Sequence, residues 1–190
     1  MNTSFSLTQI AVKRIDAFPG KPTIVFLHDS LGCIDLWRDF PERVGEMTSC
    51  NVLIYDRQGF TYPVRNNHYL EVEAEVLNQL LEFWNIDQPI LFGHSDGGSI
   101  ALLTAAKYPS KIKAIITEGA HVFVEDITIK GIKEAIHHYE TTDLKTKLEK
   151  YHAKNTEAMF WAWAKTWTTE EFSSWNIEQF LFDIQCPSLI

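Results

Sequence analysis

The residues best able to do chemistry stand together in Gly93-His94-Ser95-Asp96-Gly97. A serine hydroxyl near its free pKa attacks a carbonyl poorly and needs an adjacent base. What its local sequence can supply is exposure. The apolar run Ile90–Phe92 leads in, and an Ala/Leu-rich run, Ser99–Lys107, follows. Strand, sharp turn and helix is the context that G-x-S-x-G requires. To lift the hydroxyl clear of a sheet the backbone must adopt a strained conformation, and side chains at Gly93 and Gly97 would collide with neighbouring strand and helix. At the helix N-terminus, with the Asp96 amide beside it, developing negative charge is favoured. A bare five-residue match is often only a glycine-rich turn; the flanking strand and helix favour a nucleophile.

The surrounding elements follow from periodicity. Gln9–Ile15 alternates weakly, as an edge strand closed by the Pro19-Gly20 turn. Thr23–His28, Val52–Tyr55 and Ile112–Thr117 are continuous apolar runs, the pattern of strands covered on both faces. Leu36–Met47 reads as a helix with Pro41 near its middle, or as two segments of which Pro41 starts the second. In Leu70–Trp84, Val76, Leu77, Leu80, Leu81 and Trp84 share a helical face. Alternating strands and helices predict an α/β fold, a mainly parallel sheet with helices on both faces. From Val122 to Asp183 no buried strand is evident, and Phe160, Trp163, Ala164 and Trp167 form an i, i+3, i+4, i+7 stripe, the packing face of a helix.

Two further stretches, TIVFLHDSLG (Thr23–Gly32) and NVLIYDRQGF (Asn51–Phe60), precede the serine. With it, in this order, they resemble the α/β-hydrolase family, over nearly the whole chain. The resemblance implies one domain over 1–190, with its core in 1–121 and 184–190 and a helical cap at about 122–183. It implies Ser95 as the nucleophile of an acyl-enzyme, with backbone N–H groups of Asp96 and Ser30 as the oxyanion hole. Asp29 stands where the family has glycine; a carboxylate aimed inward there would oppose an oxyanion, so its side chain is expected to point away and only its backbone to matter. His28 and His94 are expected to be structural, and Asp56 and Arg57 to form buried polar links, with Gln58 where the glycine motif shifts. Glu118 is a candidate acid, although a loop carboxylate without chemistry is the simpler role. His121 and Trp163 are candidates for lining a substrate pocket. His68, His137, His138 and His152 carry no catalytic signal. The family's acid and histidine follow later strands, so the triad histidine is not expected in this chain. On that basis the 190 residues are expected to be C-terminally incomplete, nearly inactive alone, and able to self-associate through the edge at Cys186–Ile190.

No metal or cofactor is implied; the partner implied is a small ester-like substrate. A serine at this turn disfavours the family's dehalogenase and epoxide-hydrolase branches, which use an aspartate nucleophile. The rival is a non-catalytic binding protein on the same fold. Composition narrows the rest. The net charge of -8 argues against a nucleic-acid surface. Cys33, Cys50 and Cys186 have neither disulfide-framework nor zinc-site spacing. No signal peptide is evident at the N-terminus and no apolar run approaches membrane-spanning length, so a cytoplasmic location with no membrane partner is expected.

Overall fold

The computed structural model describes residues 10–57 and 66–190. Gln9 and the stretch Gln58-Gly59-Phe60 lie outside these residues. In chain order the strands are β1 (Val12–Ile15), β2 (Thr23–Leu27), β3 (Asn51–Tyr55), β4 (Ile90–His94), β5 (Ala114–Glu118) and β6 (Ser188–Leu189). They form one sheet among the described residues, in the order β1-β3-β2-β4-β5-β6. Only β1 runs antiparallel, with Val12 opposite Tyr55 and Ile15 opposite Val52. The others pair in parallel, so the α/β fold with a mainly parallel sheet is as expected.

Parallel neighbours need crossovers, and helices supply them: α1 (Phe40–Thr48), α2 (Tyr69–Phe83) and α3 (Asp96–Lys107). Pro41 lies in the first turn of α1, where a missing N–H costs nothing. The preceding Ile34–Trp37 is a separate 3₁₀ turn, divided from α1 by Arg38 at φ 52°. The single helix over Leu36–Met47 therefore gives way to the two-segment alternative.

The sheet separates two cores. On one face Val25, Leu27, Leu53, Tyr55, Leu91 and Ile115 pack with α2 and α3, including Leu70, Leu77, Leu80, Ile100 and Leu103. The other face holds a smaller cluster of Ile24, Phe26, Val52 and Ile54. There the Phe26 ring stacks on Phe92 at 5.1 Å and meets the edge of Trp37 at 5.4 Å.

Between β5 and β6 the chain makes an excursion of helices: α4 (Asp126–Thr141), α5 (Leu144–His152), α6 (Thr156–Trp167) and the short α7 (Glu178–Leu181). Its ends are tied together, Phe123 bridging Asn176 and Ile177 N–H donating to the Val122 carbonyl at 2.8 Å. On α6 the expected stripe is buried at Phe160, Ala164 and Trp167 and partly covered at Trp163. No helix of the described residues is long and apolar enough to cross a membrane.

The order of strands places the site. Chain direction across the sheet reverses at β2, with β3 on one side and β4 on the other. In open parallel sheets a crevice forms outside the carboxyl ends of the strands at such a switch point. The loop after β2 and the turn after β4 meet there because two glycines let backbones touch. A Cβ on Gly93 would overlap the Gly97 carbonyl, and one on Gly97 would overlap the carbonyl of Leu27 in β2. Both clashes are with backbone, which cannot rotate aside. Gly97→Ala is expected to destabilise the protein by roughly 4 kcal/mol or more, the range reserved for severe core disruption, measured by urea denaturation. A loss below 1 kcal/mol (roughly the centre for ordinary mutations) would show that α3 can slide away from β2.

Candidate active site

Ser95 lies at the tip of the β4–α3 turn with φ 52° and ψ −122°. Such a conformation in a residue other than glycine persists only where the surroundings over-determine it, and here they do. Its N–H donates to the Glu118 carbonyl at 2.9 Å, extending the β4–β5 ladder by one bond. Its carbonyl accepts from Gly98 N at 2.8 Å and Ser99 N at 3.1 Å, opening α3. The residue is partly buried, and among the described residues its hydroxyl makes no hydrogen bond. Ser99 Oγ donates to the His121 carbonyl at 2.6 Å and accepts from His121 N at 3.0 Å, tying the loop after β5 to the same helix.

Asp96 is 1% exposed. Its carboxylate accepts from the Ser30 hydroxyl, from Tyr69 Oη at 2.8 Å, and from Arg57 Nη2 at 3.5 Å. Trp167 Nε1 in turn donates to Tyr69 Oη at 3.0 Å. Ser30 and Asp96, expected to flank an oxyanion through their backbones, are thus brought together by their side chains.

Asp29 holds the loop after β2. Its carbonyl accepts from His28 Nδ1 at 2.7 Å, Arg57 Nη2 at 2.9 Å and Gly32 N at 3.2 Å. Arg57 N–H donates to His28 Nε2 at 2.9 Å, so His28 is the neutral Nδ1–H tautomer, committed at both nitrogens to structure. The Asp29 carboxylate is engaged at both oxygens: Oδ1 accepts from Leu31 N at 2.7 Å and Oδ2 lies 3.6 Å from His94 Nδ1. Burial pushes the Asp29 carboxyl up, but the close His94 imidazolium and the Leu31 N–H outweigh it, bringing it down to about 2. The Asp29 carboxylate close to its ring raises His94, with burial opposing and the charge of Glu118 assisting. Asp56, the other residue of the motif after β3, accepts from Ile34 N at 2.8 Å.

The remaining candidates separate. Glu118 contributes its carbonyl to Ser95, while its carboxylate is exposed and bonds no histidine among the described residues. His121 is half-buried with its ring 4.7 Å from that of Trp167; burial lowers its pKa, against the charges of Asp96 and Glu125. Trp163 packs edge-on to Phe160 at 5.7 Å. The tryptophan joined to Asp96, through Tyr69, is Trp167, one turn further along the same stripe; nothing in the sequence marks Tyr69 or Trp167 as a site residue. His152, at the end of α5, donates from Nε2 to the Leu31 carbonyl at 2.8 Å, linking the helical excursion to the loop after β2. Among the described residues no group of three or more His, Cys, Asp or Glu side chains could hold a metal ion.

Sheet order, strained serine and helical excursion are the architecture of α/β hydrolases, and residues 22–183 match the family model for the alpha/beta hydrolase fold. The chain belongs to that family. Mouse serine hydrolase BPHL is 35% identical over 91 residues, 44% of this chain but only 31% of that protein. Among solved structures, one from a study of carboxylesterases of the thaumarchaeon Nitrososphaera gargenis superposes with a TM-score of 0.68 at 20% identity, covering 98% of this chain and 76% of that one. The enol-lactonase of Burkholderia xenovorans LB400 also reaches 0.68, at 12% identity, over 94% of this chain and 75% of that one.

Two outcomes are expected. Asp96→Ala would leave the 3%-exposed Arg57 guanidinium without its ion-pair partner, and breaking a buried pair this way costs about 3–5 kcal/mol, readable by urea denaturation. The pair of Asp29 and His94 should give a window in pH. Asp29, depressed, contributes stability above its ordinary value of 3.8 that is lost as pH falls toward about 2. His94, raised, contributes stability fully present below its ordinary 6.5 and lost as pH rises through its folded value. The stability difference between wild type and Asp29→Asn should therefore be largest between pH 3.8 and 6.5. A difference flat from pH 3 to 9 (roughly one unit below the ordinary carboxylate range to well above that of histidine) would show the pair to be energetically silent.

Proposed function

We propose that this protein is a serine hydrolase cleaving an ester-like acyl substrate through an acyl-enzyme on Ser95. The observation that carries the reading is the Ser95 backbone itself, held at φ 52° at the tip of β4 with the residue only partly buried. Strain of this kind clusters at functional sites, and a serine with no chemistry to do gains nothing from it.

In the first step Ser95 Oγ bonds to the acyl carbon while its proton passes to a base. The carbonyl oxygen takes the electron pair, and in this reading the backbone N–H groups of Asp96 and Ser30 receive it. Collapse expels the alcohol, which takes up the proton, and water then releases the acid by the same route in reverse order. The route uses neither metal nor cofactor. In this reading the helices within 122–183 form the cap over the serine, and His121 and Trp163 line the acyl pocket beneath it. The named relatives add support at the level of reaction class, since carboxylesterases and lactonases both break acyl–oxygen bonds.

The native, full-length protein should be labelled covalently at Ser95 by a fluorophosphonate and should hydrolyse 4-nitrophenyl acetate. Ser95→Ala should abolish both, a loss on the order of 10⁶ where a nucleophile is removed from a complete triad. Turnover surviving in Ser95→Ala places the chemistry elsewhere. A folded wild type that neither labels nor turns over favours the binding-protein reading of the same fold.

A further inference from the structure

The loop after β2 carries a carboxylate, Asp29, at the position where α/β hydrolases place a glycine, directly before Ser30 in the chain. A negative charge there raises the energy of a second one. Deleting it would be simple, yet the structure retains Asp29 and sets His94 Nδ1 3.6 Å from its Oδ2. His94 is the residue before the nucleophile, paired in register with Glu118 of β5. Asp29 directly precedes Ser30, and its own Oδ1 fixes the Leu31 N–H at 2.7 Å. One side-chain pair therefore connects the two segments whose backbones would hold the oxyanion.

Resting on the ester-hydrolase reading above, we propose that His94 is a positioning residue: as a cation beside Asp29 it cancels the carboxylate's charge and ties the oxyanion loop to the nucleophile's strand. The groups facing the pair are Glu118 from β5, His28 from the end of β2, His121 from the loop after β5 and His152 from the end of α5, its own pKa lowered by burial. His28 is held neutral by its two hydrogen bonds. Burial favours neutral His121. Glu118 is negative and reinforces the cation on His94. With side chains 44% and 36% exposed, His94 and Asp29 exchange protons freely with solvent. Once His94 loses its proton, Asp29 stands uncompensated and opposes the transition state. The substrate's ground state, with a neutral carbonyl, is little affected, so the effect belongs to kcat rather than KM.

The test is a charge-swap cycle on the native, full-length protein with 4-nitrophenyl acetate. His94→Gln should lower kcat about tenfold with KM nearly unchanged, less than the roughly 10²–10³ lost with an oxyanion donor itself. The double variant Asp29→Asn/His94→Gln, with neither charge, should recover most of that loss, whereas a merely structural histidine predicts that the two losses add. Wild-type kcat should also fall on the alkaline side as His94 deprotonates, and that limb should vanish in Asp29→Asn. Full kcat in His94→Gln, or no recovery in the double variant, overturns the proposal. If His94→Gln does not fold, Asp29→Asn decides alone, a persisting alkaline limb refuting the idea. Failure of the hydrolase reading looks different: turnover would survive in Ser95→Ala, or be absent from the wild type, and the proposal would fall with it.

Discussion

A carboxylate taken out of water has to be met by donors and positive charge, or the chain will not fold around it. Asp96 imposes that condition on four separate parts of the molecule. Ser30 answers from the loop after β2, Arg57 from the end of β3 and Tyr69 from the first turn of α2. Trp167, at the end of α6, joins through the Tyr69 hydroxyl. Each of these segments would leave an unmet polar group behind if it moved alone. They are therefore held as a set, and the residue next to Ser95 is held with them. Apolar packing on the same side, where Trp167 meets Phe172 at 5.0 Å, seals the network from solvent.

The loop after β2 shows the same logic with backbone instead of side chains. Three donors converge on the Asp29 carbonyl, from His28, Arg57 and Gly32. A short loop that would otherwise sample many conformations is reduced to one, its ordering entropy offset by bonds that do not depend on substrate.

What could be read in the sequence is what depends on neighbours in the chain. Gly93 announces a tight turn because the steric reason for it, the Gly97 backbone, is local, and the strained Ser95 follows from it; the reason for Gly97 is the Leu27 carbonyl of β2, which only the fold brings near. Pro41 announces a helix start as much as a break, and the alternation of apolar runs with amphipathic ones suffices for the parallel sheet. The Asp96 network is not legible in that way. Its partners stand 27, 39 and 66 residues away, and nothing in an Asp following a Ser says which of them will arrive. Trp163 and Trp167 illustrate a second limit. Helical spacing assigns both to one face of α6, but depth along that face is decided by the elements it packs on. His94 shows a third, since strand alternation assigns its face and only the fold brings Asp29 beside it.

The Ser95 amide bonded to the Glu118 carbonyl has a consequence for how the site can adapt. That bond continues the ladder of β4, which is paired on both sides, by β2 and by β5. The serine is thus a rung of the central sheet rather than a passenger on a loop. Its amide should open to solvent only when the sheet itself opens, the slowest event the molecule has. On the hydrolase reading proposed above, fitting substrates of different shape would fall to the helical excursion, which is joined to the loop after β2 by single bonds such as that from His152 to Leu31. Stiffness therefore belongs to the part of the molecule that carries the serine.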